Sequence, residues 1–250
     1  MTLGPSTDGG YMLIEGKNQV EAALTGDATI EKIFIQRDVN NPVLVRKIKD
    51  SRIQYQFHDR SAMDRISKSK NHQGFIAFVT DFKYHSLEDI IISAQKKGSQ
   101  PLLLILDGIE DPHNLGSIIR TAECMGVDGV IIPKNRAVAV NETVIRVSSG
   151  AASHIKICKV TNINQEIEYL KGKSFWVYAV ETGGVNISQT NLKGPVALVL
   201  GGENTGVRHH TLKLCDGVVS IRMFGKTNSL NVGSATAIAL YEVNRQRESK

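Results

Sequence analysis

The fold class that this sequence predicts is α/β, in two parts. A small α/β unit is expected over residues 11–82, a linker over 83–100, and a larger domain with a mostly parallel sheet over 101–250. Three observations predict this. Apolar runs after Pro101 are continuous rather than alternating, as in strands covered on both faces, and helical patterns lie between them. The first part instead alternates short strands and short helices over about 70 residues. With 250 residues, 41% of them hydrophobic, the chain is long enough to bury a core in each part.

The elements follow in order. Residues 1–10 are rich in Gly, Ser, Thr and Pro, which predicts a loose terminus. "GKNQVEAALTG" reads as a helix stopped by Gly26, and "IEKIFIQ" and "GFIAFVT" read as strands. Ser86 and Asp89 make a capping box, while Lys96, Lys97 and Gly98 close a short helix. The runs at 102–106, 129–132, 175–180, 196–200 and 217–221 are the expected strands of the larger sheet. A helix is expected at 115–125, capped by Asn114. Its residues Leu115, Ile118, Ile119, Ala122 and Met125 fall on one face, and Arg120 points away from it. A last helix, roughly 231–247, carries Val232, Ala235, Ala239, Leu240 and Val243 on one stripe, which predicts burial in the domain or in a dimer interface.

Charge and cysteine usage narrow the function classes. The formal net charge is +5, which permits a polyanionic partner. Residues 46–72 hold eight Lys/Arg against three Asp/Glu, so this one stretch accounts for a formal +5 by itself. Arg46, Lys47, Lys49 and Arg52 are its candidate RNA contacts, and Tyr55, Phe57 and His58 either stack on bases or belong to a core. Cys124, Cys158 and Cys215 lie far apart, without C-x-x-C or Cys/His spacing, so neither a metal site nor a disulfide frame is expected. No apolar run approaches the ~18 residues of a membrane span, and no signal core opens the chain; a reduced, cytoplasmic protein is the expectation.

Three stretches concentrate polar chemistry. "LDGIEDPHNLGSIIRTAECMG" gathers Asp107, Glu110, Asp111, His113 and Asn114 between a strand and a helix, with Arg120 six residues beyond Asn114. "VALVLGGENTGV" ends a buried strand in Gly201, Gly202 and Glu203. Its glycines suit either a ligand approaching the backbone or a tight turn, and Glu203 disfavours a phosphate cradle. "SIRMFGKTNSLNVGSATAIALYEVNRQR" contains the tripeptide GKT, but a P-loop needs Gly five residues before Gly225, where Ser220 stands. What remains is a polar loop feeding an apolar helix, with Ser229 and Asn231 at the helix start, where free backbone N–H groups can meet a ligand.

Taken together, "DPHNLGSIIRTAECMG", "LVLGGENTGV" and "SIRMFGKTNSLNVGSATAIALYE" resemble the three motifs of the SpoU/TrmH family of RNA ribose 2′-O-methyltransferases, in that family's order and spacing. "HQGFIAFV" and "VNRQR" resemble more narrowly the bacterial branch that methylates a guanosine of large-subunit ribosomal RNA. "IRVSSGAASHIK" and "FGKTNS" vary around the pattern. The resemblance spans roughly residues 11–247. It implies a knotted SPOUT-type domain, a homodimer, S-adenosylmethionine as methyl donor and no metal. It further implies that Gly201, Gly202, Ile221 and Leu230 hold the cofactor, that Asn114, Arg120, Glu203, Ser229 and Asn231 are the functional polar residues, and that the N-terminal unit binds RNA. A transfer RNA methyltransferase and a non-catalytic RNA-binding protein of the same fold are the alternatives.

The implied reaction constrains Arg120. A ribose 2′-hydroxyl must lose its proton while attacking a methyl group on a sulfonium, which calls for in-line positioning and charge stabilisation. With a pKa above ~12, an Arg neutralised near pH 7 would cost at least ~7 kcal/mol at 1.36 per unit. Arg120 therefore reads as a cation that steadies the developing alkoxide rather than as the proton acceptor.

Overall fold

The computed structural model describes residues 12–25, 29–51, 53–80, 82–203 and 205–248. Gly26, expected to stop the first helix, lies outside these residues, as does Arg52. The chain divides into two compact units, one formed by the residues up to Lys83 with Val140–Glu142, the other by Tyr84–Ala139 and the residues from Thr143 onward.

The first unit is a four-stranded sheet with three helices: β1 (Met12–Glu15), α1 (Lys17–Thr25), β2 (Thr29–Gln36), α2 (Pro42–Asp50), β3 (Tyr55–His58), α3 (Arg60–Ile66) and β4 (Phe75–Thr80). The order is β1-β4-β2-β3, with β2 and β3 parallel and the other pairs antiparallel. Side-chain alternation along β2 and β4 sends Ile33, Ile35, Phe75, Ala77 and Val79 to a core with Val20, Leu44 and Ile48, and Phe34, Ile76 and Phe78 to the opposite face. Asn41 caps α2 and Asp59 caps α3, each accepting from a backbone N–H of the first turn.

The second unit contains α4 (Leu87–Lys96), β5 (Leu102–Asp107), α5 (Pro112–Cys124), β6 (Gly129–Pro133), α6 (Glu142–Val147), β7 (Lys156–Val160), α7 (Ile163–Gly172), β8 (Trp176–Asn186), β9 (Val196–Gly201), α8 (His209–Leu214), β10 (Gly217–Ser220) and α9 (Val232–Glu248). Its six strands pair in parallel throughout, in the order β10-β8-β9-β5-β6-β7. The central strand β5 shows why its apolar run is continuous. Leu103 and Ile105 enter the core on the side of α4 and α7, whereas Leu102, Leu104 and Leu106 point to the opposite face, which α9 covers. All five are at most 1% exposed, and each fully buried side chain stabilises the fold by roughly 1.5–3 kcal/mol. Among the described residues no helix is long and apolar enough to cross a membrane.

Two expectations change, one strand is added, and one open alternative is decided. The segment 83–100 is not a linker: α4 belongs to the second unit, because Leu87, Ile90 and Ile91 form an apolar stripe that enters its core. Its capping box forms as expected, Ser86 Oγ accepting from Asp89 N at 3.1 Å. Strand β7, "KICKV", did not stand out because it is an edge strand whose two lysines interrupt the apolar run. Helix α5 begins earlier, with Asp111 rather than Asn114 as its cap; Pro112 fills the first position, where no N–H is needed. Finally, Val232, Ala239, Leu240 and Val243 of α9 are buried within the unit, and α9 packs along α5. That stripe is core, while Ile238 (41% exposed) and Tyr241 (60%) lie on the open face.

Candidate active site

The parallel sheet of the second unit brings the three polar stretches together at the C-terminal ends of β5 and β9 and in the loop from β10 to α9. The ends of strands in such a sheet are where ligands are bound, because loops rather than packed helices cover them. A cavity of about 400 Å³ is lined there by Leu200, Gly201, Gly202, Glu203, Ile221, Ser229, Leu230 and Asn231. All four cofactor residues expected from sequence therefore face one space, with Glu203, Ser229 and Asn231 beside them. Asn114 and Arg120 do not line it.

Asp107 anchors the first stretch. It is 1% exposed, and a buried carboxylate must be paired. Its side chain accepts from Arg208 N at 3.1 Å and from Arg208 Nε at 2.7 Å, with Arg208 Nη2 also on Oδ1. Its carbonyl accepts from Gly202 N at 3.2 Å. The end of β5 is thus tied to both sides of the Gly201–Gly206 turn. Arg208 is itself 46% exposed, so water screens the pair, but its loss would leave a buried carboxylate without its cation at the end of β5.

The glycines serve this turn first. A Cβ on Gly202 would stand 2.5 Å from the carbonyl oxygen of Gly108, and Gly108 itself takes a φ of +86°. A side chain at 202 would push the β5–α5 loop away, so of the two readings of "GGENTG" the tight turn explains the residue types. The same packing exposes the turn's inner edge to the cavity.

Asn114, released from capping, joins the site by another route. Asn231 Nδ2 donates to Asn114 Oδ1 at 3.0 Å and to Glu203 Oε1 at 2.7 Å. Asn231 Oδ1 accepts from Gly233 N at 2.9 Å and so caps α9. One side chain thereby links one residue from each of the three stretches, and its cap fixes which way the amide points. Arg120 lies exposed on α5 and makes no pair with Glu123 among the described residues. The Arg120–Glu123 pair allowed by their spacing does not form.

Sequence reasoning missed Glu181, on β8. It lines the cavity, accepts from Val207 N at 3.0 Å, and stands where a Cβ on Gly206 would strike it. Only its place near the end of an apolar strand hinted at it. With Glu203 it gives the cavity two carboxylates among apolar walls such as Leu200, Ile221, Met223 and Val232. Such a space suits a ligand with an apolar flat part, hydroxyls and positive charge, and disfavours a phosphate.

The cysteines offer no nucleophile from the core. Burial is the largest influence on both Cys158 and Cys215, pushing the first up to about 11 and the second up to about 12.

In the first unit, Lys47 Nζ reaches Glu21 at 2.6 Å and Arg46 Nε lies 3.8 Å from Asp50, so two of the four expected RNA contacts share their charge. Lys49 lies over the ring of Phe57, which is 38% exposed. Tyr55 packs against the core, and His58 meets Phe34 edge-on at 4.7 Å between ring centroids. Burial, with Lys32 next, holds His58 below the usual histidine range, and its Nε2 is buried without a partner among the described residues. His58 is therefore structural, whereas Phe57 is the ring available to a base.

Comparison with known proteins places these features. A model of the SpoU rRNA Methylase family matches residues 101–241, and one for RNA 2′-O ribose methyltransferase substrate binding matches residues 13–85. An uncharacterized tRNA/rRNA methyltransferase of Synechocystis is 37% identical over 240 residues; the alignment covers 94% of this chain and 62% of that longer protein. A relative from Staphylococcus haemolyticus, named for the TrmH family of tRNA/rRNA methyltransferases, is 36% identical, with 94% of this chain and 96% of its own length aligned. The fold matches that of the SpoU methyltransferase AviRb from Streptomyces viridochromogenes, solved with AdoMet, at a TM-score of 0.62 and 22% identity, covering 96% of this chain and 92% of that one. It also matches an AdoMet-bound rRNA methyltransferase from Sinorhizobium meliloti, at a TM-score of 0.61 and 25% identity, covering 96% and 88%.

Proposed function

Because the chain belongs to the SpoU family of RNA methylases, we propose that it transfers a methyl group from S-adenosylmethionine to a ribose 2′-hydroxyl of RNA, and that its target is a guanosine of large-subunit ribosomal RNA. The observation that carries the reading is the cavity whose walls come from the second and third polar stretches and from β8, with the first stretch tied to that wall through the Asn114–Asn231–Glu203 contacts. Its apolar walls fit an adenosyl group, with Gly201, Ile221 and Leu230 presenting backbone. Glu181 and Glu203 suit the hydroxyl-bearing and cationic parts. The bound cofactor supplies an electrophilic methyl on sulfur.

The residues of this chain then have separable tasks. Asn231 holds Glu203 and Asn114 in one geometry, and Ser229 and the first turn of α9 offer polar groups at the cavity. Arg120, outside the lining and exposed, is left to meet RNA or the cavity of a second copy, where its fixed charge steadies the developing alkoxide. The first unit holds RNA through Arg46, Lys49 and their neighbours. We read the C-terminal segment as the threaded part of a knot, since the chain leaves the sheet edge at β10 and returns as α9 to pack on α5 and β9.

The protein is read as a cytoplasmic homodimer. Exposed Ile238 and Tyr241 on α9, a turn apart, offer a face for a second copy. Sedimentation is expected to show a dimer, and Tyr241→Glu is expected to shift it toward monomer; a wild-type monomer at micromolar concentration removes this part of the reading. The function itself is tested with purified protein and S-adenosylmethionine. Calorimetry should show binding, and labelled methyl should enter ribosomal rather than transfer RNA, at a 2′-oxygen. Cofactor binding without transfer to either RNA would point to the non-catalytic alternative, and transfer to transfer RNA alone would reassign the substrate.

A further inference from the structure

We propose that Phe224 is a stacking platform for a base of the RNA, with Arg222 and Lys226 as the contacts to its flanking phosphates. The proposal deepens the reading of the neighbouring cavity as the site of RNA methylation and rests on it.

The segment between β10 and α9 has an unusual course. It lines the cavity at Ile221 and Met223, leaves it, and lines it again from Ser229 to Asn231. The excursion between, Phe224 to Asn228, is exposed at every residue. Phe224 is 86% exposed, the most exposed large hydrophobic among the described residues. The guanidinium of Arg222 lies 5.0 Å from its ring centroid, which holds the ring out and occupies one of its faces. Lys226, two residues on, is exposed as well. No Asp or Glu occurs from Ile221 to Asn231. The finger thus presents one open aromatic face, with Arg222 over the other and exposed Lys226 two residues on, and Met223 at its base already in the cavity wall.

The partner that this chemistry fits is a single-stranded nucleotide segment. A base offers a flat apolar face for the ring, and its phosphates offer the charge that Arg222 and Lys226 lack. A second copy of the chain fits less well, because covering the ring with it would also desolvate two cations that have no carboxylate in their own segment. The placement also gives the GKT tripeptide a use. It is not a P-loop, yet its exposed lysine, two residues after the ring in sequence, is free to contact phosphate as a point charge.

The test uses the full chain with Phe224→Ala, Phe224→Leu and Phe224→Tyr. The probe is a short single-stranded oligoadenylate carrying one 2-aminopurine, whose fluorescence reports stacking. The wild type should bind it and change its fluorescence. Phe224→Ala and Phe224→Leu should bind about tenfold more weakly, the loss expected for one base stack, and Phe224→Tyr should restore both signals. S-adenosylmethionine affinity by calorimetry and sedimentation behaviour should stay at wild-type values in all three variants. The platform is overturned if the wild type does not bind the probe, if Phe224→Ala binds as well as wild type, or if Leu serves as well as Tyr. It is also overturned if Phe224→Ala alters the oligomeric state, which would assign the ring to a second copy. Failure of the wild type to bind S-adenosylmethionine would instead remove the reading of the cavity, a separate arm of the experiment.

Discussion

Asn231 carries two tasks that a single substitution can separate. Its Oδ1 caps α9 through Gly233 N, and its Nδ2 donates to Asn114 and Glu203. Asp caps a helix about as well as Asn but has no donor. Asn231→Asp should therefore keep the fold, losing about 1 kcal/mol to the like charge of Glu203, while methyl transfer falls by about a hundredfold or more through lost positioning. Urea melts beside transfer assays decide this; an active Asn231→Asp enzyme would leave the residue a cap and nothing else. Arg120 makes the opposite case. Since it is exposed and outside the cavity lining, Arg120→Ala should abolish transfer yet leave S-adenosylmethionine affinity within a few-fold. Arg120→Lys should fail too, because a point charge does not reproduce the guanidinium fork. Cofactor affinity lost in proportion to activity would move Arg120 into the cofactor site.

At the scale of elements, what the sequence made legible depended on how local the cause was. The apolar runs of β5 and β9 announce strands covered on both faces because every side chain on them is buried. The helix of 87–96 was legible from its capping box and stripe, but its allegiance was not. Which core a stripe enters depends on Gly129, whose missing side chain leaves room for Ile90: a Cβ there would stand 2.5 Å from Ile90 Cγ2. That pairing joins residues far apart in sequence, and no periodicity reveals it. The cap of α5 was misplaced for a similar reason, since Asp111 and Asn114 are both good caps and only the contact to Asn231, on α9, frees the second. If α4 is a structural part of the second unit, Ile90→Ala should destabilise it by about 2–5 kcal/mol, the range for a large-to-small change at a fully buried site. A linker helix would lose less than about 0.5 kcal/mol, as surface substitutions do. Urea denaturation of the full chain, followed at the single Trp176 of the second unit, separates the two.

At the scale of the whole molecule, the question is how labour divides between a basic unit and a unit that holds the cavity. The positions of Gly201, Gly202, Glu203 and Asn231 around one cavity were legible once three stretches were recognised as one pattern, whereas the knot proposed for the C-terminal segment would leave no periodic trace and is not readable from spacing. The basic run of 46–72 was legible as charge, but not how much of it is free. Lys47 is paired with Glu21 and Arg46 lies near Asp50. If this run grips phosphate, its share of RNA affinity is mainly counterion release, which depends on salt and not on sequence. Changing Arg46, Lys47, Lys49 and Arg52 to Gln together should then weaken RNA binding and reduce the log–log salt slope by about two to three units, as for three phosphate contacts, because Lys47 is already compensated. Cofactor affinity should not move, since every residue lining the cavity belongs to the second unit. Turnover at saturating RNA should change little, because these contacts hold substrate and transition state alike. An unchanged salt slope in the quadruple variant would make the run a solvated face, and RNA affinity would then have to come from the second unit, where the Arg222–Phe224–Lys226 finger is the first place to look.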